Sequence, residues 1–150
     1  MNRHVQTLLL TGAALLGSAI ALPAAAQFAK PEDAIKYRKA GMTMMARHFG
    51  IVAGMANGKI PFDAKVAAEN AEIATIMSKL PYAGFIDGTD KGETKAEPKI
   101  WTEKDKFTAA ATTMQEAMAK LNAAAKGGNL EAIKAAVGDT GKACKACHDT

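Results

Sequence analysis

The sequence predicts an all-α protein, an antiparallel four-helix bundle. Apolar residues beyond position 26 recur at steps of three, four and seven over four segments, the spacing of one helix face. No stretch competes with the alternation of a strand. Two of the three connections are short and one is long, which suits helices folded back on one another.

Residues 1–26 precede the first segment. Arg3 is their only ionised side chain, the run "LLLTGAALLGSAIAL" is uncharged, and "PAAAQ" offers small residues for cleavage after Ala26. This is the layout of a secretory signal peptide, and the apolar run is too short to anchor comfortably in a bilayer. The expected mature domain, residues 27–150, carries 18 basic and 15 acidic side chains. The basic residues are spread among acids, so nucleic-acid binding is not supported. Export to a bacterial periplasm with no later membrane span is expected.

The first helix opens at Pro31, a good first helical residue. Ile35, Met42, Met45, Phe49 and Val52 form its apolar stripe, and Asn57–Gly58 stops it. Asp63 is the expected N-cap of the second helix, whose stripe is Val66, Asn70, Ile73, Met77 and Leu80, with Pro81 ending it. The stretch "YAGFIDGTDKGETKAEPK" reads as a long loop closed by Trp101. Thr102 and Asp105 read as a capping box for the third helix, with Phe107, Ala111, Met114, Met118, Leu121 and Ala125 on its face. "KGGN" breaks it, and Asn129 can cap the fourth helix, where Leu130, Ile133, Val137, Gly141, Cys144 and His148 share a face. Alanine is abundant in every helix. Small side chains either leave room for a bound apolar group or let the helices pack closely with nothing between them.

The two cysteines and His148 form "CKACH", residues 144–148. C-x-x-C-H is the attachment motif of c-type haem. The two thiols add across the porphyrin's two vinyl groups. On a helix Cys144 and His148 lie one turn apart on one face with Cys147 adjacent, so the imidazole is brought beneath the ring to ligate iron. Zinc needs about four ligands, and no second Cys or Cys/His pair completes such a set. A thioredoxin-like pair belongs at a helix start in a βαβ context, not at the end of a last helix. A disulfide across two intervening residues gains little.

With these residues in place the chain resembles the class II c-type cytochromes, the group of cytochrome c′ and its low-spin relatives. The segments "QFAKPEDAIKYRKAGM", "GKIPFDA", "LPYAGF", "PKIW" and "GKACKACH" carry the resemblance over the whole of residues 27–150. It implies a left-handed, periplasmic bundle, often a homodimer, with one covalent haem c and its iron. Members carry electrons, bind nitric oxide or carbon monoxide, or both; none of this is enzyme chemistry in the ordinary sense. The resemblance places Met42 opposite the proximal ligand His148, where two readings stand: a sulfur bound to iron, or a packed filler as methionines often are. It places Arg38 near the haem propionates, the alternative being a solvated charge. Lys39 is a weaker candidate for that edge. Gly41 admits close approach of a helix or the ring, or is plain packing. Tyr82 and Trp101 pack near the haem or only cap the bundle end. His48 reads as a surface histidine. Lys134, Lys142 and Lys145 either favour the helix dipole or form a positive patch for an acidic periplasmic redox partner. Relatives usually continue past the histidine to an arginine tied to nitric oxide handling; here the sequence stops at Thr150.

Overall fold

The computed structural model describes residues 27–149. The expected signal peptide, residues 1–26, lies outside the described residues, as does Thr150. Four long helices build the domain: α1 (Pro31–Ala56), α2 (Ala64–Met77), α4 (Lys104–Lys126) and α5 (Leu130–His148). A 3₁₀ turn, Pro81–Gly84, and a single-turn helix α3, Lys99–Thr102, punctuate the long connection. The four long helices close a ring in which α1 packs on α2, α2 on α4, α4 on α5 and α5 on α1. This is a four-helix bundle.

The helix ends follow local chemistry. Pro31 opens α1, and Gly58 turns the chain away with φ of 68°. The Asp63 side chain accepts from the Val66 N–H, and Asn129 from the Ala132 N–H, both at 3.0 Å. The expected capping box fails. The Thr102 hydroxyl instead donates to the Lys99 carbonyl within α3, and Glu103 stands at the start of α4 with no side-chain cap. Glu103 pairs with Lys106, and that hydrogen bond draws its carboxyl below the usual range.

The faces of α4 and α5 follow the expected stripes. Met114, Met118, Leu121 and Ala125 of α4 and Ile133 and Val137 of α5 are buried. The face of α2 differs from expectation. Ala67, Ala71 and Ala74 are fully buried, whereas Val66, Asn70, Ile73 and Met77 flank them half-buried and Leu80 is exposed. Small side chains let α2 come close to its neighbours, so packing distance rather than hydrophobicity selects the seam. The alanines of α2 are therefore close-packed and leave no room between helices.

Polar cross-links fix the register. The Thr75 hydroxyl reaches the Met118 carbonyl at 3.1 Å, joining α2 to α4, and the Thr140 hydroxyl reaches the Ala117 carbonyl at 3.3 Å, joining α5 to α4. His48 is not a surface residue as expected. It is half-buried on α1, and its Nδ1 meets Asn70 Oδ1 of α2 at 2.8 Å. Since Asn70 Nδ2 donates to the Val66 carbonyl, Oδ1 is the acceptor and His48 Nδ1 carries the proton.

Candidate haem site

The C-x-x-C-H motif occupies the last turn of α5. Cys144 and Cys147 are half-buried and His148 is exposed. Burial, followed by the neighbouring Cys147, pushes the Cys144 thiol above its usual value. Cys144 packs against the buried core, as do Met42 of α1 and Tyr82 of the 3₁₀ turn. Cys147 lines a cavity of about 390 Å³ with Ile100, Phe107 and Ala110 on its apolar wall and Lys99 and Lys106 among its lining residues. A second cavity of about 360 Å³ shares Ile100 and Phe107 and adds Tyr82, Phe85 and Trp101. Of the two alternatives that the alanine content left open, close packing holds along α2, and the room lies here beside the motif.

The aromatic wall is continuous. Phe107 lies 4.8 Å from Phe85 and 5.7 Å from Tyr82, centroid to centroid, and Trp101 lies 6.1 Å from Phe85. Trp101 Nε1 donates to the Ile86 carbonyl at 3.0 Å, which ties the long connection to α3. Burial first, then the charges of Cys147 and Cys144, push the Tyr82 phenol up to about 12.

Arg38 is neither solvated nor held by an acid. Only 2% of it is exposed. Nη1 donates to the Gly84 carbonyl at 2.9 Å and to Thr89 Oγ1 at 2.7 Å; Nη2 donates to the Thr89 carbonyl at 2.7 Å and to Thr94 Oγ1 at 2.8 Å. The guanidinium also lies 4.5 Å from the Phe85 ring centroid and 5.4 Å from that of Trp101. Desolvation lowers its pKa. Both Nη atoms thus hold residues 84–94 against α1, and of the guanidinium donors only Nε–H lies outside these bonds. Lys39 supports the same loop by donating to the Glu93 carbonyl at 3.1 Å.

Gly41 serves a helix contact. A Cβ there would stand 2.8 Å from Pro81 Cγ, and one on Gly84 would stand 2.6 Å from the Ala34 carbonyl oxygen. These two glycines let the 3₁₀ turn lie on α1. Lys134, Lys142 and Lys145 each pair with an acid, Glu131, Asp139 and Asp149 respectively, so their positive field is largely local.

The structure brings Cys144, Met42 and Tyr82 onto one cluster and sets Cys147 at an apolar cavity. It places Arg38, on α1, against the Phe85 and Trp101 rings with its guanidinium holding residues 84–94. The sequence reading missed Phe107, Ile100 and Ala110 as cavity residues. Phe107 could have been found from its place on the α4 stripe; Ile100 and Ala110 carried no signal. The residues fit a haem: two thiols and an imidazole on one helix end, beside apolar and aromatic walls. Among the described residues no three His, Cys, Asp or Glu side chains cluster as a metal set, so nothing favours zinc.

Comparison with known proteins agrees with a haem-bearing helical bundle. A family model described as Cytochrome C′ matches residues 33–150. Cytochrome c′ of Rubrivivax gelatinosus is 56% identical over 124 residues, covering 82% of this chain and 96% of that protein. Its crystal structure superposes with a TM-score of 0.80 at 55% identity, covering 83% of this chain and 98% of that one. The nitric oxide complex of a variant of cytochrome c prime from Alcaligenes xylosoxidans gives 0.77 at 44% identity, covering 82% and 95%. The chain belongs to the cytochrome c′ family. Its cofactor is haem c, bound covalently. Among the described residues no helix is long and apolar enough to cross a membrane.

Proposed function

We propose that the protein carries single electrons in the periplasm through its haem. Cys144 and Cys147 hold the porphyrin by thioethers, His148 is the proximal ligand, and Met42 faces the iron from α1. The haem supplies the one-electron ferric–ferrous couple. The observation that carries this reading is the surface position of the motif: His148 is exposed and Cys147 is half-buried at its cavity, which brings the cofactor's attachment edge close to a partner. Lys99 and Lys106 beside Cys147 suit an acidic periplasmic redox protein, although each also has a local acid. Exposed Met44 and Ile76, on α1 and α2, suit a homodimer through those helices.

Two experiments test it. Cys144→Ala with Cys147→Ala should abolish acid-stable haem; retained covalent haem would remove the motif assignment. The ferric absorption spectrum tests Met42. A low-spin spectrum with the weak far-red band of sulfur-ligated iron, lost in Met42→Leu, supports an electron carrier. A high-spin spectrum unchanged in Met42→Leu favours a second reading, binding of a small gas such as nitric oxide or carbon monoxide. That reading has its own support in the nitric oxide complex of the Alcaligenes xylosoxidans relative.

A further inference from the structure

We propose that Met44 and His48 of α1 together form a surface site for a soft monovalent metal ion, copper(I). The site is separate from the haem and stands under either reading of the iron.

His48 is already held as a ligand needs to be. Its Nδ1–H donates to Asn70 Oδ1 of α2 at 2.8 Å, and Asn70 is itself fixed, its Nδ2 donating to the Val66 carbonyl at 2.8 Å. This chain of bonds settles the tautomer: Nδ1 keeps the proton and Nε2 keeps the lone pair. Metal-binding imidazoles are oriented in this way, by a hydrogen bond from the ring nitrogen that does not bind. Nε2 takes no hydrogen bond among the described residues, and there Asn122 Oδ1 is the only buried side-chain polar atom without a partner. Nε2 therefore opens to solvent with its lone pair unused.

Met44 supplies the second donor. It lies four residues before His48 within the helix Pro31–Ala56, which sets their Cβ atoms about 5–6 Å apart on one face. A side chain on a helix leans over the turn before it, so the imidazole leans toward the turn that carries Met44. Met45 of that turn is buried in the core, whereas 46% of Met44 is exposed. An unbranched side chain with three rotatable bonds can close the remaining gap. The donor set chooses the ion. A thioether is a soft ligand that selects copper(I), and imidazole also suits copper. Both donors are neutral, so they do not offset the charge of a divalent ion such as zinc, which also prefers about four ligands. Binding donates two lone pairs to the ion, moves no proton and leaves its oxidation state unchanged.

The test uses the full exported holoprotein, in which both cysteines are thioethers and no free thiol competes. In an anaerobic titration the protein should withdraw one copper(I) per chain from a chromophoric chelator. Met44→Leu should lose this copper while its melting temperature stays the same, since the side chain is exposed. Asn70→Ala, which frees the ring, should weaken binding about 10–100-fold. Nitrogen-15 NMR should show the copper-induced shift at His48 Nε2 and not at Nδ1. Met44 also lies on the face proposed for a homodimer, so the titration is repeated on Ile76→Lys, which charges that face without altering either ligand. Copper held equally well by Met44→Leu, or a shift confined to Nδ1, would overturn the site. So would the failure of both the holoprotein and Ile76→Lys to withdraw copper(I) from the chelator.

Discussion

Replacing Arg38 by methionine removes a charge that the fold has buried without an acid. The guanidinium is 2% exposed, and its four Nη bonds end on two carbonyls and two threonine hydroxyls of residues 84–94. Each hydrogen bond from a charged group contributes ~1.5–3 kcal/mol. Against this stands the desolvation of the cation, several kcal/mol, which methionine would relieve. Methionine also strands acceptors at Thr89, which is fully buried, each costing about 1–3 kcal/mol. The net loss for Arg38→Met is about 3–5 kcal/mol, the range seen when one side of a buried charge network is removed. Arg38→Lys keeps the charge but concentrates its donors on one nitrogen, so it cannot span Gly84, Thr89 and Thr94 together and should lose about half as much. Urea unfolding of the holoprotein followed by circular dichroism gives the stability. Hydrogen exchange at residues 84–94 tells whether the loss begins in the loop. A midpoint unchanged in Arg38→Met, with the loop as protected as before, would refute the idea that Arg38 anchors it.

Three further outcomes follow from the geometry. Gly84→Ala should cost about 3 kcal/mol because its Cβ meets a backbone oxygen that cannot yield, and Gly41→Ala about 1–2 kcal/mol against the edge of the Pro81 ring; thermal melts should rank them in that order. Asp63→Ala and Asn129→Ala should each lose about 1 kcal/mol in urea titrations, since each removes a cap bond to a helix N–H. In haem-free protein one tyrosine should ionise at about 12, and the step should vanish in Tyr82→Phe when followed by ultraviolet absorbance. Its pKa is raised above the ordinary 10, so the stability it contributes is present below pH 10 and lost as pH climbs to about 12.

Much of the bundle was legible because its signals are local. Pro31, Asp63 and Asn129 act on the first turn of their own helices, and the α4 stripe from Met114 to Leu121 consists of large residues whose burial leaves little choice. The face of α2 was not legible for a physical reason. The stripe that stands out, Val66, Asn70, Ile73, Met77, lies one position from the buried Ala67, Ala71 and Ala74. Alanine contributes little to a periodicity count, yet it decides how near two helix axes can come. The capping box failed because α3 had already engaged Thr102 through Lys99. For Arg38 the sequence could not reveal its partners: the loop that wraps it comes 46 to 56 residues later.

The same division holds within the site. The motif at residues 144–148 is local and sets one side of the haem whatever the rest of the chain does. On the proposed function the opposite side is assembled from distant parts: α1 supplies Met42, and Gly41 and Gly84 seat the 3₁₀ turn on that helix. Met42 follows directly on the glycine that touches Pro81, so the register of α1 against that turn governs where its side chain packs on the core. Arg38 holds the far end of the turn and thereby the same register. On the proposed function, the choice between carrying electrons and binding a gas is then expected to depend on the contact between α1 and residues 81–84 as well as on the residues that hold the haem. Substitutions at Gly41 should change the iron's coordination even though glycine has no side chain to reach it. Gly41→Ala compared with a substitution at Gly50, where an added Cβ meets nothing within 4 Å, separates this effect from a general loss of helix stability. A spin state altered by the first and untouched by the second is the expected result; equal spectra would detach Met42 from the turn.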